Sequence, residues 1–135
     1  MSTYNKPLPT PNPITEEFWK AVKRHELSIQ RCRHCNEYFF PPREVCPQCM
    51  SLNLEWIKVS GKGKIFSFTL VRVSPHPSFN ADIPYTVAII ELNEGPHIMS
   101  NLIDCKIEDI RVNMPVTTVF EDVTSELSLV KFRPA

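Results

Sequence analysis

Hydrophobic positions recur at two different spacings along the chain, and the change falls near residue 28. Before it, "ITEEFWKAVKRHEL" (14–27) sets Ile14, Phe18, Ala21, Val22 and His25 on one helical face, with Trp19 beside it. Thr15 is the expected N-cap. Glu16 and Glu17 fall in the positive first turn, and Lys23 and Arg24 in the negative last turns. A helix this short is marginal in water, so its apolar stripe needs a cover. Either the rest of this chain or a partner supplies it.

After residue 28 the period becomes two. "LSIQRC", "EYFF" and "LEWIKV" read as short strands around two cysteine pairs. "GKGKIFSFTLVRVS" (61–74) reads as a long strand after a glycine-rich bend, with Ile65, Phe66, Phe68 and Leu70 among its apolar positions. Aromatic residues alternating in this way, Phe66 and Phe68 included, are expected in the core. "PHPSFNADIP" (75–84) is a proline-punctuated loop. "YTVAIIELNEG" and "PHIMSNLIDC" form a hairpin about Asn93-Glu94-Gly95. "KIEDIRVNMP" is a helical turn or connection, and "VTTVFEDVTSELSLVKFRP" holds two strands about 122–125. Five strands at short spacing, the first long and bent, fit a small antiparallel barrel of the OB type. The expected architecture is mainly β: an N-terminal leader and docking helix (1–27), a cysteine-bearing ribbon (28–60) and a five-stranded OB-fold barrel (61–135).

Composition changes this picture in three places. Thirteen prolines stand against three glycines in 135 residues, and "KPLPTPNP" (6–13) makes an extended leader, a tether or a strap over a neighbouring surface. No run approaches the ~20 apolar residues of a membrane helix, and the N-terminus lacks the features of a signal peptide. Cytoplasmic residence is therefore expected, and thiols there stay reduced. Formal charge sums to zero but is uneven: residues 1–72 carry eleven Lys/Arg and six Asp/Glu, and 73–135 carry four and nine. The acidic second half, which holds most of the barrel, suits a nucleic-acid backbone poorly.

The cysteines carry the chemistry. Cys32, Cys35, Cys46 and Cys49 form C-x2-C-x10-C-x2-C. Each tight C-x2-C turn aims two sulfurs at one point, and two such knuckles facing each other give the tetrahedral thiolate set that suits Zn²⁺. Iron, as in a rubredoxin-like electron carrier, competes for the same four sulfurs. Disulfides are disfavoured by the compartment, and a redox dithiol by the absence of a βαβ pattern. Four thiolates leave no open coordination position, so the metal is expected to be structural. Cys105 reads as a small buried residue. His76 and His97 are the only histidines near enough in the chain to partner it, and no spacing links them.

In order along the chain, "CRHC", "FFPPREVCPQC", "SGKGKIFSFT", "PYTVAIIELNEG" and "KFRP" resemble the acyl-CoA-associated zinc-ribbon/OB-fold family, long catalogued as domain of unknown function thirty-five. The likeness runs from about residue 14 to 134. It implies a rubredoxin-like ribbon with Cys32, Cys35, Cys46 and Cys49 as ligands of a structural zinc. It also implies a non-catalytic subunit that supports a thiolase-superfamily or hydratase/aldolase enzyme acting on CoA thioesters at a shared channel. The family often has glycine after each cysteine pair. Here Asn36 and Met50 stand there, and Met50 leads us to expect a different exit from the second knuckle.

A CoA thioester needs cations for its phosphates and an apolar channel for its chain. Arg33, Arg43, Lys62, Lys64 and Arg72 supply candidate cations, and Phe79 and Tyr85, at the loop "SPHPSFNADIPY", candidate channel walls. The alternative is a single-stranded nucleic-acid module, because ribbons and OB folds recur there; it would need a basic groove with aromatic platforms. The sequence offers no Ser-His-Asp set, phosphate loop or carboxylate pair.

Overall fold

The computed structural model describes residues 4–135, so residues 1–3 of the leader lie outside it. The helix α1 spans Glu16–Lys23, shorter at both ends than the periodicity indicates. Thr15 occupies the N-cap without a capping side-chain bond. Asn12 does that work instead: its Oδ1 accepts from the backbone N–H of Ile14 (2.9 Å) and Thr15 (3.0 Å). At the other end His25 adopts φ 62°, and the N–H groups of His25 and Glu26 return to the carbonyls of Val22 and Ala21. This is a Schellman closure, which ends the helix before residue 27.

Phe18, Ala21 and Val22 are buried while Ile14 is exposed. The surface that receives the helix belongs to the same chain, since α1 packs on strands β1 and β8 described below.

The ribbon is a three-stranded sheet ordered β2-β1-β3, with β1 at Ser28–Cys32, β2 at Tyr38–Phe39 and β3 at Leu54–Lys58. Both neighbours run antiparallel to β1; Gln30 pairs with Phe39 on one side and Trp56 on the other. The barrel follows: β4 (Lys62–Val71), β5 (Tyr85–Leu92), β6 (His97–Leu102), β7 (Pro115–Asp122) and β8 (Ser128–Pro134), closed in the order β4-β5-β6-β8-β7. The pairs are antiparallel except β6 with β8, which run parallel and meet at the single position Leu102–Phe132. Short 3-10 turns occupy Pro77–Phe79, in the proline-punctuated loop, and Ile107–Asp109, where a helical turn is expected.

The first barrel strand is shared between β5 and β7, and glycine makes the sharing possible. Gly63 pairs with Leu92 on one side and Val116 on the other. A Cβ there would stand 2.4 Å from the Glu91 carbonyl oxygen, which no rotamer relieves. Farther along, the register with β5 shifts between Ile65 and Ser67. Phe66 and Phe68 are both exposed, contrary to their expected place in the core. Ile65 is the buried position, so alternation along β4 itself puts its neighbour Phe66 on the outer face.

One apolar cluster joins all parts of the chain. Phe18 and Val22 of α1 and Leu27, Ile29 and Val59 about the ribbon sit with Ile65, Ile90, Leu92, Val116 and Phe132 of the barrel. Among the described residues no helix is long and apolar enough to cross a membrane.

Candidate metal centre and barrel cleft

Cys32 closes β1, and Cys35 follows in the first turn; Cys46 and Cys49 occupy the matching turn before β3. The two knuckles repeat one backbone pattern. The N–H of Asn36 returns to the Cys32 carbonyl at 2.8 Å and that of Met50 to the Cys46 carbonyl at 2.9 Å. Amides also face the sulfurs: Cys35 N–H to Cys32 Sγ at 3.5 Å and Gln48 N–H to Cys46 Sγ at 3.3 Å. Asn36 and Met50 both take positive φ, 63° and 65°. The second knuckle thus exits as the first does, which corrects the expectation drawn from Met50. The backbone closure prevails over the side-chain preference, at a cost of about 1 kcal/mol.

The four Sγ atoms lie within 4.8 Å of one another. Cys32–Cys49 and Cys35–Cys46 are each 3.6 Å apart. A tetrahedron with metal–sulfur bonds of ~2.3 Å has edges of about 3.8 Å, so the sulfurs are spaced for one tetrahedral ion. Cys32 and Cys46 are buried and Cys49 is exposed. The Cys32 thiol is drawn down to about 6, chiefly by the Cys35 backbone N–H. Cys35 is pushed up to about 12 despite the Glu37 backbone N–H, by burial and by the sulfurs it shares the site with. A set in which one thiol ionises readily and its neighbours resist is what crowded sulfurs do before a cation neutralises them.

A polar residue the sequence reading passed over holds the knuckles in register. Gln30, buried in the middle of β1, accepts from the Arg43 backbone N–H at 2.6 Å and donates to the Arg43 carbonyl at 2.8 Å. This pair of hydrogen bonds ties the Pro41-Pro42-Arg43 turn to β1. Its sequence signal was an amide at an interior position of "LSIQRC".

The barrel carries a cleft of about 260 Å3 lined by Phe79, Tyr85, Asn101, Glu121, Lys131 and Lys6, among others. Phe79 and Tyr85 come together here, ring centroids 5.8 Å apart. The leader crosses this place: Lys6 Nζ is 2.5 Å from Asp82 and 5.6 Å from the Phe79 ring. The Asp82 hydrogen bond raises the Lys6 pKa. Lys6, Asn101 and Lys131 were not legible as site residues, because three distant segments supply them.

Of the cations singled out from sequence, Arg72 follows Val71, the register partner of Tyr85, and so stands at the cleft's end of the barrel. Lys62 and Lys64 sit at the opposite end of β4, roughly 25 to 33 Å from Arg72 along the strand, and Lys64 pairs with Glu91 at 3.5 Å. Arg43 is exposed on the ribbon, as is Arg33, which reaches Glu55 at 3.5 Å. The structure does not gather Arg33, Arg43, Lys62 and Lys64 with Phe79 and Tyr85.

Cys105 turns its thiol to the Lys106 carbonyl at 3.4 Å. Burial, with the Asp109 carboxylate, raises its pKa, the reverse of an activated nucleophile. His76 is occupied with Ser78 (2.7 Å) and His97 with Glu91 (3.5 Å) and the Phe66 ring.

Comparison with known proteins agrees with this architecture. Residues 19–55 match the family model described as the ChsH2 rubredoxin-like zinc ribbon domain, and 56–121 that of the ChsH2 C-terminal OB-fold domain. A DUF35 domain-containing scaffold protein of Methanocaldococcus jannaschii is 41% identical over 110 residues, 80% of this chain and 77% of the relative. A probable enoyl-CoA hydratase alpha subunit of Thermomonospora curvata is 35% identical over 96% of this chain, which spans only 40% of that longer protein. A solved structure described as an Ltp2-ChsH2(DUF35) aldolase superposes with a TM-score of 0.84 at 34% identity, covering 94% of this chain and 98% of that one.

Proposed function

We propose that this chain, which belongs to the family of the ChsH2 zinc-ribbon and OB-fold domains (DUF35), is a non-catalytic subunit. It binds and completes a cytoplasmic enzyme of the thiolase-superfamily or hydratase/aldolase type that acts on a CoA thioester. The observation that carries this reading is the likeness, over nearly the whole of both chains, to a component of an aldolase. The site chemistry supports it. The four sulfurs satisfy a tetrahedral metal by themselves, so the ion has no position for substrate.

The metal is Zn²⁺, held by Cys32, Cys35, Cys46 and Cys49. Bound there it supplies folding energy and a fixed geometry for the ribbon. The residues of the cleft do the recognition. Phe79 and Tyr85 wall the thioester's apolar arm, while Arg72 offers positive charge for carbonyl or phosphate oxygens. Arg43, Lys62 and Lys64 stand away from this cleft and are not part of it.

The test is co-expression with the thiolase-, hydratase- or aldolase-type subunit encoded beside it, then gel filtration and a thioester assay with and without this chain. Complex formation with higher turnover or stability supports the reading. Turnover by the pure chain alone overturns it, and red iron-loaded protein from native cells overturns the zinc assignment.

The exposed Phe66 and Phe68 are what favours a second reading, binding of single-stranded nucleic acid. Salt-sensitive binding to single-stranded DNA, with no effect on a CoA enzyme, would establish that reading instead.

A further inference from the structure

An apolar groove of about 300 Å3 lies away from the metal centre, where helix, ribbon and barrel meet. Trp19 of α1 and Phe40 of the ribbon line it together with Met99 of β6 and Leu129 and Val130 of β8. Its opening follows from the way the barrel closes. β6 and β8 pair only at Leu102 and Phe132. Two residues earlier the Ser100 hydroxyl donates to the Val130 carbonyl at 2.7 Å, where a ladder bond would otherwise run. Beyond that point the strands are not paired with each other, and the groove occupies the gap. Met99, a flexible apolar side chain suited to an adaptable contact, is 68% exposed on its rim.

Charge distinguishes the occupants that could fill it. Lys6, Lys20, Lys58 and Lys64 each pair with a carboxylate. Lys131, on the groove's polar side, donates instead to the Asn101 side-chain oxygen at 3.2 Å. Among the described residues no carboxylate reaches ion-pair distance of its Nζ. An amide meets one of the three N–H donors and none of the charge. A second copy of this chain on the groove would bring two Lys131 ammonium groups into one apolar interface, which like-charge repulsion opposes. A segment carrying apolar side chains and one carboxylate satisfies both features.

We infer that this groove docks the enzyme subunit, through a segment that packs against Trp19, Phe40 and Met99 and brings an acidic side chain to Lys131. The inference rests on the proposed function for the existence of that subunit and adds where it binds. Because the groove is walled by helix, ribbon and barrel together, the partner would clamp all three parts of the chain.

The experiment measures affinity for the enzyme subunit encoded beside this chain, using Met99→Glu and Lys131→Glu. Leu52→Glu on the ribbon and Val73→Glu after β4 are the controls, at positions 77% and 83% exposed. Both groove variants are expected to weaken binding about 30-fold or more, the size of a central contact, with metal content and melting temperature of the free chain unchanged. Both controls are expected to bind as wild type. Reversing the partner's matching acid to lysine should restore Lys131→Glu. If a groove variant misfolds, hydrogen exchange of residues 97–101 and 128–131, with and without the enzyme, gives the same answer through protection.

Loss of binding by Leu52→Glu or Val73→Glu, with both groove variants unaffected, overturns the docking site and leaves the partner reading standing. A wild-type chain that binds no such enzyme overturns the partner reading itself. Dissociation of a homo-oligomer by Met99→Glu, with enzyme binding intact, assigns the groove to a second copy and overturns the proposal. Displacement of a bound acyl chain by Met99→Glu, again with enzyme binding intact, assigns it to lipid and overturns it equally.

Discussion

His25 Nε2 lies 2.8 Å from Asp122 Oδ1, although 97 positions separate them in sequence. The imidazole also lies flat on Phe120, ring planes 7° apart. His25 is the residue whose positive φ ends α1, so this contact pins the helix terminus to the last hairpin of the barrel. Asp122 is fixed in turn by the buried Ser128 hydroxyl, which donates to the same oxygen.

This arrangement gives the helix dock a definite acid limit. The Ser128 hydroxyl and His25 hold the Asp122 carboxyl below its ordinary range. A carboxyl depressed on folding contributes stability above its unfolded pKa of ~3.9, and that contribution is lost as pH falls through the lower, folded value. Asp122→Asn should therefore melt below wild type at pH 6 to 7. The two curves should converge once the pH is well under ~3.9. A melting difference that persists unchanged at pH 2 would count against the pairing.

Metal removal should act on the ribbon first. Cys46→Ser, or a strong chelator, takes away a binding term of ~10–16 kcal/mol in small zinc modules, and β1 to β3 should lose order. We propose that the division at residue 60 keeps the barrel's β-structure in place. Its melting temperature should nevertheless fall, because Leu27, Ile29 and Val59 share a cluster with Ile65 and Phe132. Circular dichroism with elemental analysis checks this. A single transition that removes ribbon and barrel together would defeat the division.

Met50→Gly should strengthen the second knuckle. Met50 sits at φ 65° with its side chain exposed, so glycine removes strain and sacrifices little packing. A gain of about 1 kcal/mol is expected, read as a higher melting temperature and slower zinc loss to a competing chelator.

Gly63→Ala should be costly for a different reason. The added methyl meets the Glu91 carbonyl, backbone that cannot rotate away, and the expected loss is ~1–3 kcal/mol. Phe132→Ala empties a fully buried site at the β6–β8 junction and should cost ~3–5 kcal/mol. Urea unfolding of both variants is the measurement.

Local patterns decided what was legible in advance. The ligand cysteines stand within 18 residues of each other, and a C-x2-C turn is closed by bonds between near neighbours, so their spacing alone aims the sulfurs. The succession of strands along the chain and the β5–β6 hairpin followed from period and turn residues for the same reason. Phe66 escaped that logic because an alternating run has two faces, and packing decided that Ile65, not Phe66, takes the inner one. The second knuckle escaped it too, because Met50 obeys the closure of its backbone over its own preference.

The amino-acid sequence by itself determined the metal set, the ribbon-then-barrel order and the length of most strands, since each depends on interactions spanning few residues. Only tertiary structure decided which cations and aromatic rings share a surface. Phe79 and Tyr85 met Lys6 and Lys131 through barrel closure, whereas Lys62 and Lys64 were carried to the far end of β4. Closure also opened the groove beside Trp19 and Met99, because two parallel strands that touch at one residue pair must leave space where they are not paired. Those placements depend on chain segments more than a hundred residues apart, as Lys6 and Lys131 are, and no local periodicity encodes the distance between them.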